Sequence, residues 1–229
     1  MKALYRWSLS LGILGLTACD MPSQLVGGDQ LFPLEQNGKW GYVNHRGQVL
    51  IRPQFDYAWK FDGDLAAVKI GSKYGYIDPN GAFVIEPRFD FVYPFSDGLA
   101  GVKVAEQYGY IDKTGRFVVQ PRFDAVASFF SGRAGVKMGG RWGYIDKQGN
   151  LVIPLQFEEA SYFAEERASV KLGGRWGYID PQGKLVIPAR YTETSFFANG
   201  LAKVRTGEKW SYINSSGQEV SGVDPAEDR

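Results

Sequence analysis

Residues 74–103 read YGYIDPNGAFVIEPRFDFVYPFSDGLAGVK, and the chain repeats this pattern along most of its length. The aromatic–Gly pair that opens the stretch, here called the mark, returns at intervals of 34 residues. The aromatic residues of the six marks are Trp40, Tyr74, Tyr108, Trp142, Trp176 and Trp210, and Ser211 takes the place of Gly in the last mark. Self-similarity at a fixed period of about 20–50 residues indicates a repeat architecture, in which each unit is one supersecondary element.

Each unit contains three short runs that are typical of β-strands, with few polar residues. Around Tyr108 they are Ala100 to Val104, Tyr108 to Ile111, and Phe117 to Val119. The segment DKTG at 112–115 fits a tight turn, because Asp bonds nearby backbone amides and Gly accepts a left-handed conformation. We expect Pro121 and its counterparts to end the third strand, since proline cannot donate to a ladder.

The middle strand predicts how the units pack. Tyr74 and Tyr76 share one face of this strand, whereas Gly75 and Ile77 share the other. Both faces are therefore apolar, which predicts that neighbouring units cover each sheet on both sides. The glycine of the mark predicts a close approach by another backbone. The aromatic residue of the mark is predicted to be core, with an exposed platform for sugar rings as the alternative.

The signature [W/Y]-G-Y-I-D-x-x-G, followed by V-I-x-P-x-F-D, resembles the WG-repeat family of bacterial proteins. The resemblance covers about 31–220, with departures at Asn44 and Ser211 in the terminal units. It implies a β-rich interaction repeat without a defined active site. We predict an all-β domain over 31–220, built as a tandem array of six three-stranded β-meander units. We prefer an open solenoid-like array, because atypical terminal units resemble caps; a closed propeller-like ring is the alternative, because closure removes edges.

The N-terminal residues 1–18 are typical of a secretory signal. Lys2 and Arg6 precede an apolar stretch from Trp7 to Leu16, which is too short to cross a bilayer. The segment LTAC at 16–19 then resembles the lipobox of bacterial lipoproteins. That resemblance implies cleavage before Cys19 and attachment of fatty acyl chains to its thiol, which would anchor the chain in a membrane.

The signal and its lipobox-like end predict a location in the cell envelope, on the extracytoplasmic side. By resemblance to a known sorting rule, Asp20 retains a lipoprotein on the periplasmic face of the inner membrane; otherwise the outer membrane is expected. Residues 19–30 contain Pro and paired Gly, which favours a flexible tether after the acylated cysteine. Residues 221–229 form a polar tail.

Charge and cysteine content exclude several classes of protein. The chain holds 26 Lys and Arg and 25 Asp and Glu. Because 1–18 contain two basic residues and no acid, 24 basic and 25 acidic side chains remain after cleavage, a net charge of −1. Nucleic acid is therefore not an expected partner. Cys19 is the only cysteine, so no disulfide is expected within the chain.

Catalytic, metal and cofactor sites are not expected. His45 is the only histidine and falls in the first turn. We call the equivalent position of successive units a column. The first acidic column consists of Asp78, Asp112, Asp146 and Asp180, and it is predicted to cap turns rather than bind calcium. A second acidic column, Asp56, Asp90, Asp124 and Glu158, is predicted to pair with the basic column Lys69, Lys103, Lys137, Lys171 and Arg205. A carboxylate repeated in almost every unit indicates scaffold, since an active site needs one asymmetric constellation.

Positions that differ between units are the best candidates for recognition. The stretch after Phe-Asp carries Tyr57 and Trp59 in one unit, and Phe91 and Tyr93 in the next. Solvent-facing aromatic residues make binding hot spots, although these four could instead pack over the strand connections. The sequence thus predicts a non-catalytic, membrane-anchored binding scaffold, with an envelope protein as partner. The alternative is a module that binds peptidoglycan or another glycan through its repeated aromatic residues.

Overall fold

The computed structural model describes residues 30–221, which consist of β-strands and the turns between them. The strands form six antiparallel sheets in chain order. The first three sheets contain β1 (Phe32–Gln36), β2 (Lys39–Val43) and β3 (Val49–Phe55); β4 (Tyr57–Ala58), β5 (Ala66–Ile70), β6 (Lys73–Ile77) and β7 (Phe83–Phe89); and β8 (Phe91–Val92), β9 (Ala100–Val104), β10 (Gln107–Ile111) and β11 (Phe117–Phe123). The last three contain β12 (Ala125–Val126), β13 (Arg133–Met138), β14 (Arg141–Asp146) and β15 (Leu151–Phe157); β16 (Glu159–Ala160), β17 (Ala168–Leu172), β18 (Arg175–Ile179) and β19 (Leu185–Tyr191); and β20 (Glu193–Thr194), β21 (Leu201–Thr206), β22 (Lys209–Asn214) and β23 (Glu219–Val220).

The predicted tandem array of all-β units is confirmed, but the number of strands per unit is corrected. Five of the six sheets have four strands rather than three, because a two-residue strand follows each Phe-Asp pair and its equivalents Phe157-Glu158 and Tyr191-Thr192. At Asp90 the chain leaves β7, and its backbone N–H donates to the carbonyl of Lys103, 2.9 Å away in the next sheet. Consecutive sheets are therefore joined by a nearly continuous strand.

Proline does not end the third long strand of a unit, contrary to the sequence prediction. β7 runs for seven residues through Pro87 to Phe89. Its register with β6 shifts between Tyr74 and Tyr76, so that β7 bulges across Gly75. The bulge interrupts the regular ladder pairing, so Pro87, which has no backbone N–H, is tolerated there.

The predicted close approach at the glycine of the mark is confirmed, and the approaching backbone belongs to the same sheet. A Cβ atom placed on Gly143 would lie 2.5 Å from the carbonyl oxygen of Ile153. Ile153 belongs to β15, the bulged strand of the same sheet. The glycine therefore permits the bulge inside a sheet; it does not serve the stacking of one unit on the next.

The core lies between the sheets, as both apolar faces of the middle strand predict. Tyr76 packs in one buried cluster with Ile111 of the third sheet. Ile77, the next residue, packs in a different cluster with Phe55 of the first sheet. Five such clusters separate the six sheets. Each inner sheet is thus covered on both sides by its chain neighbours.

Strand pairing stays within each of the six sheets, so residues 30–221 form no closed barrel. None of the described elements is a helix that could cross a membrane. The predicted signal segment 1–18, Cys19, Asp20 and the rest of the tether up to residue 29 lie outside the described residues, as does the tail after Ser221.

Candidate binding surface

Three of the four aromatic residues predicted for recognition lie together. The ring centroid of Phe91 is 6.3 Å from that of Trp59 and 5.2 Å from that of Tyr93. Trp59 and Tyr93 are thus linked through Phe91, across the boundary between the second and third sheets. All three are half-buried, and Trp59 and Tyr93 pack against core clusters. They combine both predicted interpretations, because they cover the strand connections and still expose part of each ring.

Tyr57, the fourth predicted residue, lies apart from this group. Its side chain is 44 % exposed, and its ring centroid is 5.5 Å from that of Trp40. Phe91, in the corresponding position of the next unit, contacts Tyr74 in the same way, at 5.9 Å. Tyr57 and Phe91 therefore each contact the aromatic residue of the mark in the preceding sheet. We call Tyr57, Trp59, Phe91 and Tyr93 the first aromatic surface.

The first aromatic surface does not continue into the last three sheets. Ala125, Glu159 and Glu193 take the place of Tyr57 and Phe91 there. Glu159 accepts a hydrogen bond of 2.7 Å from Lys171, and Glu193 one of 2.6 Å from Arg205. The columns that are aromatic in the N-terminal half of the array thus become ion-paired or small in the C-terminal half.

The aromatic residues of the marks are neither fully buried nor free. All six are half-buried, so the prediction that they are core residues is only partly right. Cationic side chains lie over several of their rings: Lys69 over Tyr74, Lys103 over Tyr108, Lys171 over Trp176, and Lys203 and Arg205 over Trp210, at 5.3–5.8 Å from the ring centroid. This arrangement is a cation–π contact, which occupies a ring face.

A second group of aromatic residues is more exposed than the marks, and the comparison of equivalent positions between units did not identify it. Phe130 is 51 % exposed, Tyr162 39 % and Phe196 51 %. The centroid of Tyr162 lies 5.5 Å from that of Phe130 and 5.5 Å from that of Phe196. We call these three residues the aromatic row. Phe130 and Tyr162 are 32 rather than 34 residues apart, so a comparison of equivalent positions does not align them.

Buried neighbours hold the aromatic row in place. Each exposed ring is adjacent in sequence to a buried phenylalanine, and these are Phe129, Phe163 and Phe197. Carboxylates tie the loops to each other: Asp97 accepts from the N–H of Gly132 at 2.7 Å, and Glu165 from that of Gly200 at 2.8 Å. The row is therefore presented by anchored loops. The sequence signal for it is the doubled aromatic pair at 129–130, 162–163 and 196–197.

A cleft of about 300 Å³ lies beside the aromatic row, between Ser131, Arg133, Phe163, Glu166 and Pro181. The guanidinium of Arg133 lies 5.4 Å from the ring centroid of Phe163 and donates to the carbonyl of Pro181. The cleft thus offers a charged rim next to an apolar surface, a combination that recurs at protein interfaces.

The turn-capping prediction for the first acidic column is confirmed. Oδ1 of Asp112 accepts hydrogen bonds from the backbone N–H of Thr114 at 2.9 Å and of Arg116 at 3.0 Å. A further hydrogen bond from the Thr114 hydroxyl is the largest cause that holds the pKa of Asp112 below its usual range. Corresponding turn contacts occur at Asn44, Asp78, Asp146, Asp180 and Asn214.

The second acidic column does not pair with the basic column as predicted. Oδ1 of Asp56 accepts from Lys39 at 2.6 Å, and its other oxygen accepts from the N–H of Gly71 at 2.6 Å. The bond from Lys39, and then that from Gly71, hold the pKa of Asp56 below its usual range. This carboxylate therefore supports the hairpin turn between β5 and β6, to which Gly71 belongs.

His45 lies in the first turn, as predicted, and is exposed. Within residues 30–221, no three His, Cys, Asp or Glu side chains are grouped so as to hold a metal ion.

Comparison with known structures shows similarity in fold. Hsv2p of Kluyveromyces lactis is 10 % identical and aligns with a TM-score of 0.52, over 86 % of this chain and 75 % of that protein. Hsv2 of Kluyveromyces marxianus is 8 % identical, with a TM-score of 0.53 over 87 % and 77 % of the two chains. At these identities the likeness concerns the fold alone. No curated protein matches the chain in sequence.

The comparison with protein families identifies the repeat itself. The profile described as a WG containing repeat matches five times, at 40–74, 74–106, 108–142, 142–176 and 176–210. These limits follow the marks, and together they cover most of the sheets described above. The chain therefore belongs to the family of proteins that contain WG repeats.

Proposed function

We propose that the chain is a membrane-anchored, extracytoplasmic lipoprotein whose repeat array is a non-catalytic scaffold for another protein of the cell envelope. The observation that carries this proposal is the aromatic row of Phe130, Tyr162 and Phe196, which are 39–51 % exposed and in ring contact. Contiguous exposed apolar patches on soluble domains mark interaction sites. Aromatic residues with few rotatable bonds supply much of the binding energy at such sites.

The anchored loops support the same proposal. The buried Phe129, Phe163 and Phe197 restrict the backbone beside each exposed ring. A surface that is ordered before binding loses less conformational entropy when a partner docks. The row is therefore suited to act as the central contact of an interface, with the cleft at Arg133 and Glu166 as part of its polar rim.

The glycan alternative has less support from the ring geometry. Stacking on a sugar requires a free ring face, whereas Lys or Arg side chains lie over Tyr74, Tyr108, Trp176 and Trp210. In the aromatic row, neighbouring rings are inclined at 48° and 39° and lean on each other. This arrangement forms one continuous apolar ridge rather than separate flat platforms, which favours a protein partner.

The contacts made by the carboxylates support a non-catalytic function. Asp112 is engaged in its own turn, and Asp56 bonds a lysine and the backbone of a hairpin. Residues with equivalent scaffold contacts in successive units are poor candidates for a reaction that needs one distinct set of groups.

The anchor and the location are proposed from the sequence. The apolar segment Trp7 to Leu16 and the lipobox-like LTAC that ends at Cys19 support lipidation. Each buried methylene contributes about 0.8 kcal/mol, so two or more acyl chains give stable attachment. With Asp20 as a retention signal the protein would face the periplasm from the inner membrane, and without that signal it would lie on the outer membrane.

Site-specific photo-crosslinking in native cells tests the proposal. A photoreactive amino acid at position 162 samples the aromatic row, and one at position 57 samples the first aromatic surface. Position 118 is the matched control, because Val118 is 41 % exposed in the third sheet. We expect a discrete protein adduct from position 162 and none from position 118. A lysozyme-sensitive adduct would instead support the glycan alternative, and no adduct from positions 130, 162 and 196 would rule out the row as the binding site.

A further inference from the structure

The outer face of the first sheet carries apolar side chains, and three of them, Phe32, Leu34 and Val43, lie at positions that the other sheets bury. Phe32 lies opposite Val43 in the ladder between β1 and β2, and Val43 lies opposite Val49 in β3. Leu34 shares their face, since side chains alternate along a strand. Tyr42 points the other way, into the cluster shared with the second sheet. We call Phe32, Leu34, Val43 and Val49 the end face.

The equivalent residues of the second sheet are buried where another sheet stacks on them. Shifted by one repeat, Phe32, Leu34 and Val43 correspond to Ala66, Val68 and Ile77. These counterparts are 1 %, 0 % and 0 % exposed, because the first sheet packs on them. Phe32 and Val49 are 37 % and 46 % exposed, and Leu34 and Val43 are half-buried. The end face is thus a stacking surface at which the series of described sheets stops.

The chain outside the described residues joins the molecule beside this face. Gln30 precedes β1, whose first residue is Phe32 of the end face. Cys19 precedes Gln30 by 11 residues, so an acylated Cys19 lies at most about 40 Å along the chain from the first sheet. The first sheet is therefore the part of the array that an anchor holds nearest to the bilayer. Arg46, in the turn between Val43 and Val49, is exposed and adds positive charge at the edge of the same face.

We propose that the end face docks on the lipid surface of the membrane that holds the acyl chains. Aromatic and aliphatic side chains on one face of a domain enter the interfacial region of a bilayer, where their contact with water is reduced. The array then stands on its first sheet, and the fourth to sixth sheets carry the aromatic row away from the membrane. This inference rests on the lipid anchor of the proposed function and adds the orientation of the domain.

A fluorescent label on a single added cysteine tests the docking. Cys19 is the only cysteine of the chain, so in lipidated protein Val49→Cys provides one reactive thiol. Val118→Cys, at a residue exposed to a similar degree in the third sheet, is the matched control. The full-length lipidated protein is reconstituted into vesicles of phosphatidylethanolamine and phosphatidylglycerol. We expect a blue-shifted emission at position 49 and severalfold weaker quenching by aqueous iodide than at position 118.

The outcomes separate this inference from the proposed function. Equal quenching at both positions, in protein that floats with the vesicles, would overturn the docking and leave the anchor intact. Failure to float with the vesicles would refute the anchor itself. A label at position 49 that is already protected in soluble Cys19→Ala protein of dimeric mass would assign the end face to a second copy, and would also overturn the docking. Phe32→Cys, on the same face, must give the same result as Val49→Cys.

Discussion

The hydroxyl of Tyr76 donates a hydrogen bond of 2.7 Å to the backbone carbonyl of Tyr93, and this bond ties the second sheet to the third. Tyr76 is 1 % exposed. The other four interfaces contain the same bond, made by Tyr42, Tyr110, Tyr144 and Tyr178 to the carbonyl 17 residues later, at 2.6–2.8 Å. The tyrosine two residues after the mark therefore links the sheets, while the glycine of the mark shapes each sheet from within.

Removal of one of these hydroxyls should weaken a single interface. Tyr144→Phe leaves the ring in place but deprives the carbonyl of Ser161 of its donor. Because an unsatisfied buried acceptor costs about 1–3 kcal/mol, we expect the free energy of unfolding in urea to fall by that amount. Tyr162→Phe, at an exposed position, is the control and should change stability by less than about 0.5 kcal/mol. Equal effects of the two substitutions would argue against the hydroxyl as an inter-sheet tie.

Glycines of the mark should tolerate a methyl group less well than glycines of the hairpin turns. In Gly143→Ala the new Cβ meets the backbone of Ile153 and Pro154 at 2.5–2.8 Å, so the bulge must open, at a cost of about 3 kcal/mol. In Gly140→Ala the side chain enters open space, and only the positive φ of 78° is strained, at about 1 kcal/mol. Thermal melting of both variants measures the difference. Similar melting temperatures would show that the bulge relaxes freely.

Ionisation of the inter-sheet tyrosines should accompany unfolding. Burial raises the pKa of Tyr42, Tyr76, Tyr110, Tyr144 and Tyr178 well above the ordinary value of about 10. Because their folded pKa is raised, their contribution to stability is fully present below pH 10 and is lost as the pH rises towards the folded pKa. Tyrosinate absorbance, followed together with circular dichroism, should show five tyrosines that ionise only as the β-structure is lost. Complete ionisation with an intact spectrum would contradict the assignment.

The proposed anchor predicts a clear change in fractionation. Cys19→Ala removes the thiol that would carry the acyl chains, so we expect the protein to leave the membrane fraction. Immunoblots of membrane and soluble fractions measure the shift, and Thr17→Ser, which keeps a small residue in the lipobox-like segment, is the control. Unchanged partitioning of Cys19→Ala would refute lipidation.

The sequence predicts the architecture well because the repeat supplies the same information several times. The period of 34, the alternation from Tyr74 to Ile77 and the turn at 112–115 each predict features that the structure confirms. Pro87 misleads, because the bulge that admits proline inside a strand depends on the close approach of that strand to Gly75. The short strand at Tyr57–Ala58 is also missed, since two residues carry too little periodicity to be recognised.

The candidate site is harder to predict than the fold. Trp59, Phe91 and Tyr93 are found because equivalent positions are compared, and the structure brings them into one group. Phe130 and Tyr162 occupy different columns and meet only through the shape of their loops. Exposure also depends on three-dimensional packing: Phe129 is buried and its neighbour Phe130 is half exposed, although the two are the same residue type.

We propose that the repeated positions build the scaffold and that the aromatic row binds the partner. A comparison of Phe130→Ala/Tyr162→Ala/Phe196→Ala with Tyr144→Phe in native membranes separates these two roles. The measurement is the yield of the adduct formed by a photoreactive residue at position 131 in the adjoining cleft, read together with the melting temperature of each purified protein. The row variant should lose the adduct with little change in melting temperature, whereas Tyr144→Phe should keep the adduct and melt a few degrees lower. An adduct that persists in the row variant would show that the partner binds elsewhere on the array.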